Sequence, residues 1–175
     1  MVRLLYELRS DIDRGDKTGA TPAHVAALQG HAAMMQLLYD LGADVHRARP
    51  DGARPIHVAA GKAYDKTVLG LIKLRAAVDS QDNEGRTPCW SASIEGHAKV
   101  VWLLITHRAA PDLVNKYQAT PLMIAAQQNK PQCIAVLAAA KASLEGAMAS
   151  SPIGIAAQAG TDECVRLLAY LGARL

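Results

Sequence analysis

Four prolines frame this 175-residue chain: Pro22, Pro55, Pro88 and Pro121 stand 33 residues apart, and Pro152 follows after 31. Their surroundings recur with them. The first block reads Asp16-Lys17-Thr18-Gly19-Ala20-Thr21-Pro22-Ala23-His24-Val25-Ala26-Ala27. Gly52-Ala53-Arg54-Pro55-Ile56-His57-Val58-Ala59-Ala60 is the second, and Arg86-Thr87-Pro88-Cys89-Trp90-Ser91-Ala92 belongs to the third. Ala119-Thr120-Pro121-Leu122-Met123-Ile124-Ala125-Ala126 and Ser151-Pro152-Ile153-Gly154-Ile155-Ala156-Ala157 complete the series. A unit this short cannot bury its apolar face alone. A sustained period therefore implies units stacked side by side around one continuous core.

The residue types say what each unit is. Thr21, Thr87, Thr120 and Ser151 are helix N-cap types whose hydroxyls accept from unpaired helix N–H groups. The proline after each sits where a missing N–H costs nothing. Gly30, Gly96, Gly160 and Asn129 fall where this first helix must stop in a left-handed conformation. A second helix follows, with Met34, Met35, Leu37, Leu38 and Leu41 at helical spacing. Apolar residues make up 50% of the chain, yet aromatics only 4% and Phe is absent, so alanine must fill much of the interior.

The period and the Thr-Pro-x-His-x-Ala-Ala core resemble the ankyrin repeat. The second halves agree, as in Gly30-His31…Leu37-Leu38…Gly42-Ala43-Asp44-Val45 and Gly96-His97-Ala98-Lys99-Val100-Val101-Trp102-Leu103-Leu104. The resemblance runs from about Arg3 to Leu175 and implies an all-α solenoid of helix–turn–helix pairs with β-hairpin-like loops. The expected organisation is one domain, 1–175: a half repeat over 1–15, then repeats at 16–48, 49–81, 82–114, 115–146 and 147–175. Leu4, Leu5, Leu8 and Asp11-Ile12-Asp13 match the end of a repeat whose first half is missing.

Several positions depart from the pattern. In the second repeat Arg54 replaces the capping threonine, Ala63 replaces the stop glycine, and Gly70 lies inside the second helix. The motif histidine survives as His24 and His57, expected to be half-buried and bonded within their own repeats. Neighbouring helices pack about 10 Å apart, too far for one zinc to bridge both rings. The same spacing keeps Cys133 from Cys164, so these and Cys89 read as small buried apolar residues. Three cysteines without a Cys-x-x-Cys pair suit a reducing compartment, cytoplasmic or nuclear. No apolar run reaches membrane-spanning length, and the N-terminus lacks the pattern of a secretory signal.

Charge is modest: 19 basic against 16 acidic residues, net +3. No basic stripe interleaved with aromatics marks a nucleic-acid surface. Arg9, Arg75, Arg108 and Lys141 stand just after the second helices, where Gly42 and Gly172 occur elsewhere. Arg75, Arg108 and Lys141 should form a basic edge. They either stabilise helix C-termini, with Asp13, Asp79, Asp112 and Glu145 neutralising the row, or form a rail for an acidic partner.

No phosphate loop, nucleophile elbow or zinc-helix motif is present, and the carboxylates are scattered. The chain is expected to be no enzyme and to need no cofactor and no metal. The resemblance implies a protein-interaction scaffold that binds another protein through the hairpin tips and first helices. By position its contact residues are Lys17, Asp51, Lys62, Glu84, Arg86, Ile94, Glu95, Tyr117, Gln127 and Gln128, with Thr18, Ala53, Met148 and Ser150 on the same variable surface. The alternative is a structural subunit or assembly factor of a larger complex, or a piece of a longer multidomain ankyrin protein.

Overall fold

The structure, a computed structural model, describes residues 11–145 and 151–173. Arg9, Leu4, Leu5, Leu8, Met148 and Ser150 lie outside the described residues. Ten helices and no strands occur among those described. They are α1 Pro22–Leu28, α2 Ala32–Asp40, α3 Pro55–Gly61, α4 Asp65–Lys73, α5 Pro88–Glu95, α6 Ala98–Thr106, α7 Pro121–Gln127, α8 Pro131–Ala139, α9 Pro152–Gln158 and α10 Asp162–Tyr170. Each odd-numbered helix pairs with the even-numbered one after it. Odd helices also pack against odd and even against even, giving an inner and an outer row. This is the stacked all-α solenoid that the period implies.

One apolar core runs the length of the stack, from Ala23 to Leu168. The inner row contributes mostly alanine: Ala27, Ala59, Ala60, Ala92, Ala125, Ala126 and Ala156 are fully buried. Small side chains let these helices approach closely. The outer row supplies bulk through Met35, Leu38, Leu71, Leu104, Ile134, Leu137 and Leu168. Each such side chain, once buried, contributes about 1.5–3 kcal/mol.

The inner helices begin as their cap residues dictate. Thr87 Oγ1 accepts from the Trp90 N–H at 3.1 Å, Thr120 Oγ1 from the Met123 N–H at 3.2 Å, and Ser151 Oγ from the Gly154 N–H at 3.2 Å. At α1 and α3 the motif histidine assists. The Thr21 N–H donates to His24 Nδ1 at 3.2 Å, and the Arg54 N–H to His57 Nδ1 at 3.1 Å. With Nδ1 accepting, the ring proton belongs on Nε2. That nitrogen donates to the following unit, His24 to the Ala53 carbonyl and His57 to the Arg86 carbonyl, both at 3.1 Å, and His57 also to the Ser80 carbonyl of its own unit at 2.9 Å. The expected bonds within one repeat are present, and a bond to the next repeat is added to them. Each ring ties its own unit to the next, and both are buried, not half-buried.

The helix ends repeat one backbone path. Gly30, Ala63, Gly96, Asn129 and Gly160 all have positive φ, from 53 to 88°. So do Gly42, Arg75, Arg108, Lys141 and Gly172, from 62 to 90°. The arginines and lysine of the basic edge therefore hold a backbone conformation that suits glycine. A side chain there costs about 1–2 kcal/mol of steric strain. Asp79, Asp112 and Glu145, the acids four residues on, form no ion pair with them. Asp13 accepts from the Asp44 N–H at 2.9 Å, Asp79 from the Ala110 N–H at 3.0 Å, and Asp112 from the Ser143 N–H at 2.9 Å. These carboxylates clamp the backbone of the following unit, a use that wins because it satisfies an N–H with a charged acceptor. Among the described residues, Arg75, Arg108 and Lys141 have no carboxylate at ion-pair distance.

Candidate functional site

The loops that precede the inner helices are built by side chains that mimic turns. Asp16 Oδ1 accepts from the Thr18 and Ala20 N–H groups at 2.8 and 3.0 Å. Asp82 Oδ1 does the same for Glu84 and Arg86, both at 2.9 Å, and Asn115 Oδ1 for Tyr117 and Ala119 at 2.9 and 3.0 Å. In the second unit this position is Arg49. Asp51 supplies the carboxylate there, accepting from the Ala53 N–H at 3.0 Å and pairing with Arg49 at 2.6 Å.

Neighbouring loops are tied by backbone. The Asn83 N–H donates to the Asp51 carbonyl at 3.0 Å and the Lys116 N–H to the Glu84 carbonyl at 2.9 Å. Gly52 permits this approach: a Cβ there would stand 2.5 Å from the Asn83 nitrogen, and its φ is 81°.

The loops and inner helices carry the expected contact residues. Lys17, Asp51, Lys62, Glu95, Tyr117, Gln127 and Gln128 are exposed, and Glu84, Arg86 and Ile94 half-buried. Ala53, expected on the same surface, is largely covered but lines the floor of the groove described next, and its carbonyl takes the His24 proton. A groove of about 350 Å³ between α3 and α5 brings Lys62, Arg86, Ile94 and Glu95 together. Arg49, Val58, Trp90 and Ser91 also line it, and sequence reasoning did not place these at the site. Lys17, Glu84, Tyr117, Gln127 and Gln128 lie outside the groove, as does Asp51.

Charge in the groove is ordered. Arg86 pairs with the nearly buried Asp82 carboxylate, Nη2 and Nε both at 2.7 Å. Its guanidinium lies 5.7 Å from the centre of the Trp90 ring. Trp90 itself is only 9% exposed, and its Nε1–H is buried without an acceptor among the described residues. The signal that could have found Trp90 was its position: it stands where two other units carry the motif histidine. Beyond the groove, Lys116 bonds the Glu84 carboxylate, which lowers the Glu84 pKa, and lies 5.4 Å over the exposed Tyr117 ring.

Desolvation pushes the His57 pKa below its ordinary value, so the imidazole on the groove wall is held neutral. Burial likewise raises the Cys89 thiol to about 12 and Cys133 to about 11. The described residues gather no nucleophile–base pair on this surface. They offer an anchored cation on an indole, an exposed lysine and an aliphatic contact, which suits recognition of a chain segment.

A family model described as ankyrin repeats (3 copies) matches residues 1–82 and 56–146. A search of the curated proteins finds no match. Ankyrin repeats generally mediate protein–protein interaction, and the family is typically a non-catalytic scaffold. The repeated cap, turn and stop geometry and the span of the family match lead to one conclusion: the chain belongs to the ankyrin repeat family.

Proposed function

We propose that this chain is a non-catalytic scaffold that holds an extended segment of a partner protein along its inner helices and loop tips, centred on the α3–α5 groove. The observation that carries the reading is the convergence of Lys62, Arg86, Ile94 and Glu95 beside Trp90 in one cleft. Arg86 is pre-positioned by Asp82 and Trp90, so little side-chain freedom is lost when it meets a partner. Tyr117, 70% exposed one unit further on, extends the surface with a rigid amphipathic ring. On the repeat bounds expected from the sequence, 49–81, 82–114 and 115–146, these residues fall in consecutive units.

The test is cross-linking at native concentration, identification of the captured protein, and titration of that protein with the purified chain. An Arg86→Ala/Tyr117→Ala variant should bind it at least about ten-fold more weakly. Undiminished binding by the double variant would move the interface elsewhere.

A further inference from the structure

The outer helices hold a second surface that the inner-face reading does not use. One outward register position reads Gln36, Leu69, Trp102, Ala135 and Arg166 along the five outer helices. The stack supplies its own control: polar residues stand at both ends and apolar ones on the middle three helices. Trp102 is 57% exposed, although burying an indole is among the largest apolar gains available to a fold. Leu69 is half-exposed beside it. Between α4 and α6 a cleft of about 90 Å³ is lined by Asp65, Lys66, Leu69, Lys99, Trp102 and Leu103.

Positive charge gathers on α4 and α6 and at the residues that follow the three helices. Lys66, Lys73 and Lys99 are exposed on α4 and α6. Asp65 pairs with Lys99 at 2.5 Å, and Lys99 remains 80% exposed. Arg75, Arg108 and Lys141 follow α4, α6 and α8 with exposed side chains. On the flanking outer helices Asp40 ends α2, and Asp162 and Glu163 open α10.

We propose that the outer face of α4, α6 and α8 docks an acidic amphipathic helix from a partner protein. Packed helices lie about 8–10 Å apart. On a crossing helix, residues i and i+7 are about 10.5 Å apart on one face. Its apolar residues at that spacing meet Leu69 and Trp102 in turn, one entering the cleft between them. Glutamates or aspartates on its flanks meet Lys66, Lys73 and Lys99. A second copy of this chain fits poorly, because two such faces carry like charge. A flat anionic membrane also has cations and an indole to engage, but it leaves the cleft between the helices unfilled.

The probe is a fluorescein-labelled synthetic helix of about 18 residues, long enough to hold helical structure. It carries leucines on one face and glutamates on its flanks. A twin has lysines in place of the glutamates. Anisotropy titration against the intact chain should show saturable binding of the acidic peptide that weakens with added salt. Trp102→Ala and Lys66→Glu/Lys73→Glu should each weaken it at least about ten-fold. Circular dichroism should show both variants folded, since these side chains are exposed. Arg86→Ala/Tyr117→Ala should leave it unchanged, which separates this surface from the inner groove. The proposal is overturned by no saturable binding, by equal binding of the lysine twin, or by indifference to the Trp102 and lysine variants. It is equally overturned if only phosphatidylserine vesicles bind, or if sedimentation shows Trp102-dependent self-association instead.

Discussion

Gly70 sits in the body of α4, where a Cβ would meet nothing within 4 Å. Its φ is not in the left-handed region, so no conformational demand explains it. Gly70→Ala is therefore expected to stabilise the protein by about 0.5–1 kcal/mol, read as a raised denaturation midpoint at unchanged slope. A lowered midpoint would show that the glycine serves a purpose in α4. Ala63, by contrast, has a φ of 61° where other units use glycine or asparagine. Both residues belong to the second unit, whose irregularities are visible as letters in the sequence. Their costs differ in kind, one being backbone entropy and the other steric strain, and only coordinates separate them.

At the scale of an element, the start of an inner helix is also a joint between units. His24 and His57 accept from their own N-cap backbone and donate to the next loop. Burial lowers both pKa values from 6.5, because a charged ring would lose water and its Nδ1 acceptor role. The unfolded chain then binds more protons than the folded one once pH falls below about 6.5, so stability declines with falling pH through that window. Denaturation midpoints measured between neutral and mildly acidic pH should drop accordingly. A His24→Met/His57→Met variant should show a shallower drop, whatever its stability at neutral pH. Methionine is the replacement this chain itself uses: Met123 Sδ accepts from the Thr120 N–H at 3.5 Å. An unchanged slope would mean that these joints do not titrate. The Asp13, Asp79 and Asp112 clamps are joints of the same order, and for Asp79 and Asp112 the sequence pointed to Arg75 and Arg108 because the N–H each one meets lies 31 residues away.

Across the whole molecule, the described helices pack mainly against their neighbours in the stack, so stability resides in those junctions. Opening should begin at an end and travel inward. The three cysteines report this, being free, buried and distributed over the third, fourth and fifth helix pairs. Burial raises all three thiol pKa values, so a disulfide reagent should meet them only through opening. Native-state labelling at mildly alkaline pH, followed by peptide mapping, should modify Cys164 first and Cys89 last. Full denaturant should make the three equivalent. Early modification of Cys89 would place the weakest junction in the middle of the stack.

Period, caps, stops and the alanine-lined inner row were all present in the residue order, because each is a local event repeated every 33 positions. Four of the expected contact residues, Lys62, Arg86, Ile94 and Glu95, could be placed by that register and line one groove. The chain order could not reveal that Arg86 lies over Trp90, that His57 forms a groove wall, or that Ala53 is covered. Nor could it reveal that Leu69 and Trp102 share a cleft. Those facts belong to the space between units. Repetition dictates how one unit folds, whereas the stacking of unequal units decides which unlike side chains meet.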